Sequence, residues 1–153
     1  MDKANNARMI YFSALTGLSA VGAAISSALG GWDKFIQTLV IFMAIDYILG
    51  VVIALVWKKS QKSADGSFES KASLKGLLRK GAMLLLVFIA VQLDLVIGDG
   101  QYIRTAVILF FIANEGFSII ENLGIMGLPM PDVIKDAFAA IKKKSDPQDT
   151  KTE

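Results

Sequence analysis

Apolar residues in this chain gather into four long blocks instead of alternating with polar ones. The first runs from about Met9 to Leu29, the second from Phe35 to Trp57, the third from Leu77 to Ile97 and the fourth from Tyr102 to Ile120. A hydrocarbon core ~30 Å thick needs roughly 17–25 residues of helix, so each block is long enough to cross one. Backbone amides find no water inside a bilayer, and helices satisfy them internally. The pattern predicts an all-α integral membrane protein with about four transmembrane helices, over 9–29, 35–57, 77–97 and 102–120.

The connectors fit that division. Gly30-Gly31-Trp32-Asp33-Lys34 reads as a tight turn with an interfacial tryptophan, and Gly98-Asp99-Gly100-Gln101 as a second short polar turn. Residues 58–76 form a basic loop. Arg79 and Lys80 open the third span, where long stems can snorkel toward the headgroups. Gly127-Leu128-Pro129-Met130-Pro131 breaks the chain after the fourth span. A short amphipathic helix is expected over 131–144, with Val133, Ile134, Ala137, Phe138 and Ile141 on one face. A tail of eight residues precedes the first span, and 145–153 read as a disordered tail. No internal repeat is visible.

The first block is the weakest span. From Ser13 to Gly31 it is mostly Gly, Ala, Ser and Thr, with Leu15, Leu18, Val21, Ile25 and Leu29 on one narrow stripe. The pairs Ser13/Gly17, Ser19/Ala23 and Gly22/Ser26 suit a tightly packed helix. A cleavable signal peptide ending near Ala28 and a helix that leaves the bilayer readily are the other two readings.

Charge orients the chain. Of 16 Lys and Arg residues, Lys3 and Arg8 precede the first span, seven lie between Lys58 and Lys80, and five lie between Lys135 and Lys151. Only Lys34 and Arg104 fall in the two short turns, a split of fourteen to two. The positive-inside rule therefore puts both termini and the central loop in the cytoplasm.

Composition narrows the chemistry. The chain is 54 % apolar with a mean hydropathy of +0.52, above an ordinary soluble domain. It has neither Cys nor His, so disulfides, thiolate sites and the commonest general base are missing. No phosphate loop or nucleophile elbow appears. The expectation is a non-enzymatic protein with no cofactor, no metal and no catalytic residue.

The residues that stand out are polar groups inside the spans. Asp46 sits at the middle of the second block, with Gly50 one turn later. An ionised carboxylate there costs at least ~2.5–3.5 kcal/mol, so a functional role competes with a structural hydrogen bond. The sequence offers no intramembrane Lys or Arg as its partner on this reading. Asn114, Glu115, Ser118, Glu121 and Asn122 share about a third of the fourth helix's circumference, at ~100° per residue. Such a stripe suits either an aqueous path or burial against other helices. Gln92 and Asp94 are less informative, because Asp94 is close to the outer interface. Lys142, Lys143 and Lys144 follow the amphipathic segment and suit anchoring to anionic lipid. The partners these features imply are the lipid bilayer and other copies of the chain, with no nucleic acid.

Several segments resemble the holins associated with phage lysis and clostridial toxin secretion. They are Ala44-Ile45-Asp46-Tyr47-Ile48-Leu49-Gly50, Gly76-Leu77-Leu78-Arg79-Lys80, Leu93-Asp94, Asn114-Glu115-Gly116-Phe117-Ser118-Ile119-Ile120-Glu121-Asn122-Leu123-Gly124 and Gly127-Leu128-Pro129-Met130-Pro131. Together they span about residues 35–132. The resemblance implies a homo-oligomer in the cytoplasmic membrane whose lesions release an endolysin or, in some relatives, a toxin. A small ion channel or proton-coupled transporter using Asp46 and Glu115 is the main alternative, although inverted repeats and broken midplane helices are absent. A passive assembly subunit is the third.

The charge split makes a direct prediction about topology. Cysteines placed at Ser63 and Thr152 should resist an impermeant thiol reagent in intact cells, and labelling of the loop cysteine from outside would overturn the arrangement.

Overall fold

The computed structural model describes residues 3–58, 69–98 and 100–145. Most of the expected basic loop (59–68) and the expected tail from 146 lie outside those residues. Five α-helices follow one another, and no strand occurs among the described residues: α1 (Lys3–Ala28), α2 (Lys34–Val52), α3 (Ser70–Ile97), α4 (Tyr102–Ile125) and α5 (Asp132–Ser145). A π-helical segment, Ile53–Trp57, extends α2. Four helical stretches are long and apolar enough to span a membrane: Asn5–Ala28, Lys34–Trp57, Ser70–Ile97 and Tyr102–Ile125.

The helices overrun the expected blocks at several ends. α1 starts at Lys3 instead of near Met9, α3 starts at Ser70 instead of Leu77, and α4 continues to Ile125 through the polar stripe. Hydropathy marks where a helix can sit in lipid, whereas a helix ends only where its backbone bonds end. α4 persists because part of its stripe is bonded inside the bundle.

α2, α3 and α4 form the bundle. Its core contains Ile36, Leu39 and Met43 of α2, Met83 and Val87 of α3, and Ile108, Phe111 and Ile112 of α4, closed at one end by Leu29. Outward, Ile41, Ile48, Leu85, Leu86, Leu95 and Val96 stay exposed. So much apolar surface would be a liability in water and is ordinary against lipid tails. α1 stands away from the bundle, with Met9, Phe12, Leu18, Val21 and Ile25 all exposed. A Cβ added at Gly17 or Gly22 would meet nothing, so the small-residue faces of α1 have no neighbour there. The Ser13 and Thr16 hydroxyls donate to the carbonyls of Ile10 and Phe12, which satisfies them within the helix.

At one end of the bundle an arginine ties the two short turns together. The sequence places Arg104 in a short turn, but it lies in the first turn of α4 and is fully buried. Its Nε donates to the Leu29 carbonyl (2.6 Å), and its two terminal nitrogens donate to Asp33 (2.6 Å), Gln101 (3.2 Å) and the Gly31 carbonyl (3.2 Å). Gly30 allows this approach. Its φ is +80°, and a Cβ there would stand 2.7 Å from Arg104 Nε. Asp94, set aside on sequence as an interfacial residue, is buried and caps α4 by accepting from the backbone amides of Ile103 (2.9 Å) and Arg104 (2.8 Å). Asp33 meanwhile caps α2 through the Ile36 amide (3.0 Å). Arg104 and Lys80 are both buried, one from each side of the sequence count, so the remaining basic residues of the sequence divide thirteen to one.

The Asp33 carboxyl carries a testable consequence. Partial burial pushes its pKa up, but the Arg104 hydrogen bond, the Ile36 and Phe35 amides and the Arg104 charge together hold it below the ordinary 3.8. A depressed carboxylate contributes stability that is present above its unfolded pKa and lost as pH falls through the folded value. Acidification below the ordinary value should therefore loosen the two turns, read as faster amide exchange at Leu29–Ile36 in the detergent-solubilised chain. Asp33→Asn should remove that acid dependence, while Arg104→Ala should destabilise by about 1–3 kcal/mol, because it leaves the buried Leu29 carbonyl without its donor.

Candidate intramembrane polar site

At the other end of the same core lies a second buried polar cluster. Each member occupies the next position of an otherwise apolar stripe. On α2 the buried positions are Ile36, Leu39, Met43 and Asp46, on α3 they are Lys80, Met83, Val87, Ala90 and Asp94, and on α4 they run from Arg104 through Ile108 and Ile112 to Glu115. Steps of three and four keep one helical face inward, so Asp46, Lys80 and Glu115 converge on the bundle axis.

Lys80 Nζ donates to Asp46 Oδ2 (2.9 Å) and to Glu115 Oε2, joining all three helices through one ammonium. Asn122, about two turns beyond Glu115, donates its side-chain amide to Asp46 Oδ1 (2.9 Å). Asp46, Lys80 and Glu115 are each less than a tenth exposed. Nearby, the hydroxyls of Tyr47 and Ser73 share a hydrogen bond of 2.6 Å. This corrects the expectation that Asp46 lacks a cationic partner within the membrane. Lys80 does not snorkel outward, because two carboxylates and the bundle interior attract its stem more strongly than the headgroup layer. The signal was present in the sequence: Lys80 starts the three-and-four spacing that buries α3.

A cavity of about 580 Å³ opens beside the cluster. Asp46, Tyr47, Lys80 and Glu115 line it, together with Lys75, Gly76 and Arg79 of α3 and Asn114, Ser118 and Glu121 of α4. The predicted stripe thus divides. Glu115 and Asn122 bond inward, whereas Asn114, Ser118 and Glu121 line the cavity. Gly50 is half-buried on α2 and is not among the lining residues. Lys142, Lys143 and Lys144 stand exposed on α5 and take no part in the site. Among the described residues no group of His, Cys, Asp and Glu is arranged to hold a metal ion. The arrangement can hold charge, exchange protons and admit water. It presents no activated nucleophile.

Comparison with known proteins now adds to this geometry. A sequence profile of the bacteriophage holin family matches residues 23–143. The chain belongs to that family. A "probable holin" of Bacillus phage phi105 is 33 % identical over 116 residues, covering 76 % of this chain and 80 % of the relative. An uncharacterized 14.9 kDa protein of Clostridium perfringens is 33 % identical over 129 residues, 84 % of this chain and 92 % of that one. An uncharacterized protein of Listeria monocytogenes is 36 % identical over 129 residues, 84 % of this chain and 86 % of the relative. No solved structure matches. Family membership and four apolar helices make this a multi-pass membrane protein of the holin kind, and membership points away from an enzyme. The matched region begins near the end of α1 and includes the whole polar cluster.

Lys80 bonds both carboxylates, so Lys80→Met removes two buried ionic contacts at once, whereas Asp46→Asn removes one charge and keeps hydrogen-bonding capacity. Lys80→Met should therefore cost about 3–5 kcal/mol, the usual penalty for breaking a buried pair, and Asp46→Asn clearly less. Thermal unfolding of the purified chain in mild detergent checks this order. Equal losses would mean that Lys80 does not hold the carboxylates together.

Proposed function

We propose that the chain oligomerises in the bacterial cytoplasmic membrane and opens lesions that release an endolysin, or in a toxin-export setting a toxin. The observation that carries this reading is the Asp46–Lys80–Glu115 cluster beside a polar cavity, inside helices whose outer faces are apolar. Charged groups at such depth are costly in lipid unless they are paired or meet water. A dispersed chain keeps them paired within its own bundle. Assembly offers the second solution, because neighbouring chains can surround a water-filled path and turn Asn114, Ser118 and Glu121 toward it.

Asp46, Gly50, Glu115 and Asn122 are then positions where assembly and resting structure compete, and Lys80 joins them. Both termini and the segment between α2 and α3 face the cytoplasm, which puts the open side of the cavity there. The same cluster supports a second reading, a proton-coupled channel or transporter, because two carboxylates around one ammonium can trade a proton. The two readings differ in what passes and when.

Induction in a bacterial host separates them. Membrane potential, ATP leakage and culture density are followed together, with and without a signal-less cytoplasmic endolysin. The lesion reading expects a silent interval while protein accumulates, then abrupt depolarisation, and lysis only when both proteins are present. Early depolarisation with an uncoupler should advance the event if the field stabilises the closed arrangement, at ~2.3 kcal/mol per charge moved through 100 mV. A gradual, ion-selective current without enzyme release would replace the lesion reading with the channel.

A further inference from the structure

The sequence reading leaves α5 at the membrane surface, but the structure seats it on the bundle. Phe138 packs edge-on against Phe42 of α2 (ring centroids 5.7 Å apart) and tilted against Phe117 of α4 (6.2 Å). Its ring fills the space above Gly116, where an added Cβ would overlap it. Only a residue without a side chain leaves room for this ring, so the notch belongs to the docked helix.

The depth of that seat matters. Gly116 lies nine residues inside the end of α4 at Ile125, about 13 Å along the axis at ~1.5 Å per residue. Phe42 lies eight residues from the opposite end of its span, about 12 Å by the same measure. α5 therefore runs back along α4 from the Gly127–Pro131 connector and reaches well into the span. Its outer face meanwhile carries Asp132, Lys135, Asp136, Lys142, Lys143 and Lys144, all exposed. Lys142 to Lys144 lie beyond Phe138 and so deeper still. A face of that charge cannot rest against hydrocarbon. It requires water, although the helices beside it require lipid.

We propose that α5 has two seats. While chains are dispersed in lipid it lies in the headgroup layer, with Lys142, Lys143 and Lys144 on anionic lipid. When chains gather and the α2–α4 flank comes to face water, α5 folds onto that flank. Phe138 enters the Gly116 notch, and the charged face of α5 becomes part of the wall of the lesion. The family match extends to residue 143 and so takes in both the notch and nearly all of α5. The inference rests on the lesion reading for what the docked state is for, but the change of seat can be measured without it.

The chain has no cysteine, so a cysteine pair reports cleanly. The full chain carrying Phe42→Cys and Phe138→Cys is reconstituted into vesicles of phosphatidylethanolamine and phosphatidylglycerol at rising protein-to-lipid ratios, with dextran trapped inside. A short bismaleimide then measures the within-chain crosslink alongside dextran release. Crosslinking should rise several-fold with crowding and in step with release. In the chain with native Phe42 and Phe138, Gly116→Leu, which closes the notch while favouring helix, should shift release to higher protein density. Phe138→Ala, which leaves α4 untouched, should act in the same direction. A crosslink yield that is flat across all ratios would overturn the proposal, as would parental release from both variants. A crosslink that rises while dextran stays inside would uphold the two seats and sink the lesion reading instead.

Discussion

A polar group inside a bilayer must find its partner within the protein, and the α2–α3–α4 bundle is organised around that constraint. Its apolar core is bounded at both ends by buried ionic groups. On one side Arg104 gathers the carbonyls of Leu29 and Gly31 and the carboxylate of Asp33, while Asp94 caps α4. On the other, Lys80 gathers Asp46 and Glu115. Between the two lie Leu39, Met43, Met83, Val87, Ile108 and Ile112, which interdigitate without directional bonds. Apolar packing in lipid sets no register by itself, since lipid tails are as apolar as leucine. The two clusters supply it, because sliding or rotating any one helix would strand a buried charge.

The clusters differ in what they permit. The Arg104 cluster matches one guanidinium with carbonyls and carboxylate at the mouth of two turns, a geometry that closes. In the other, Lys80 bonds two carboxylates beside a cavity lined by further polar side chains. The Lys80 cluster and its cavity lie at the end of α3 where the basic residues concentrate.

α1 and α5 stand outside that core and behave as opposites. α1 is largely apolar, bonds its Ser13 and Thr16 hydroxyls to its own carbonyls and touches little until Leu29, which suits a surrounding of lipid. α5 is amphipathic and docks by one aromatic ring on a glycine, which leaves its charged face in need of water. The bundle between them is the part that the holin family match covers most fully.

Much of this protein is legible in the sequence alone. Block length against bilayer thickness determined the four spans and the all-α class, because a helix is the cheapest way to hide a backbone in hydrocarbon. The fourteen-to-two division of basic residues set the expected orientation, and Asp46 and Glu115 stood out simply by being acidic where lipid is dry. Hydropathy cannot say which residues on different helices meet, and there the tertiary structure decided. It turned Lys80 from a headgroup anchor into the partner of two carboxylates, turned Arg104 from a loop charge into a buried tie, and placed Phe138 over Gly116. In each case the energy comes from contacts between residues far apart in the chain, and a pattern read along one helix carries the face a residue occupies but not what lies opposite it.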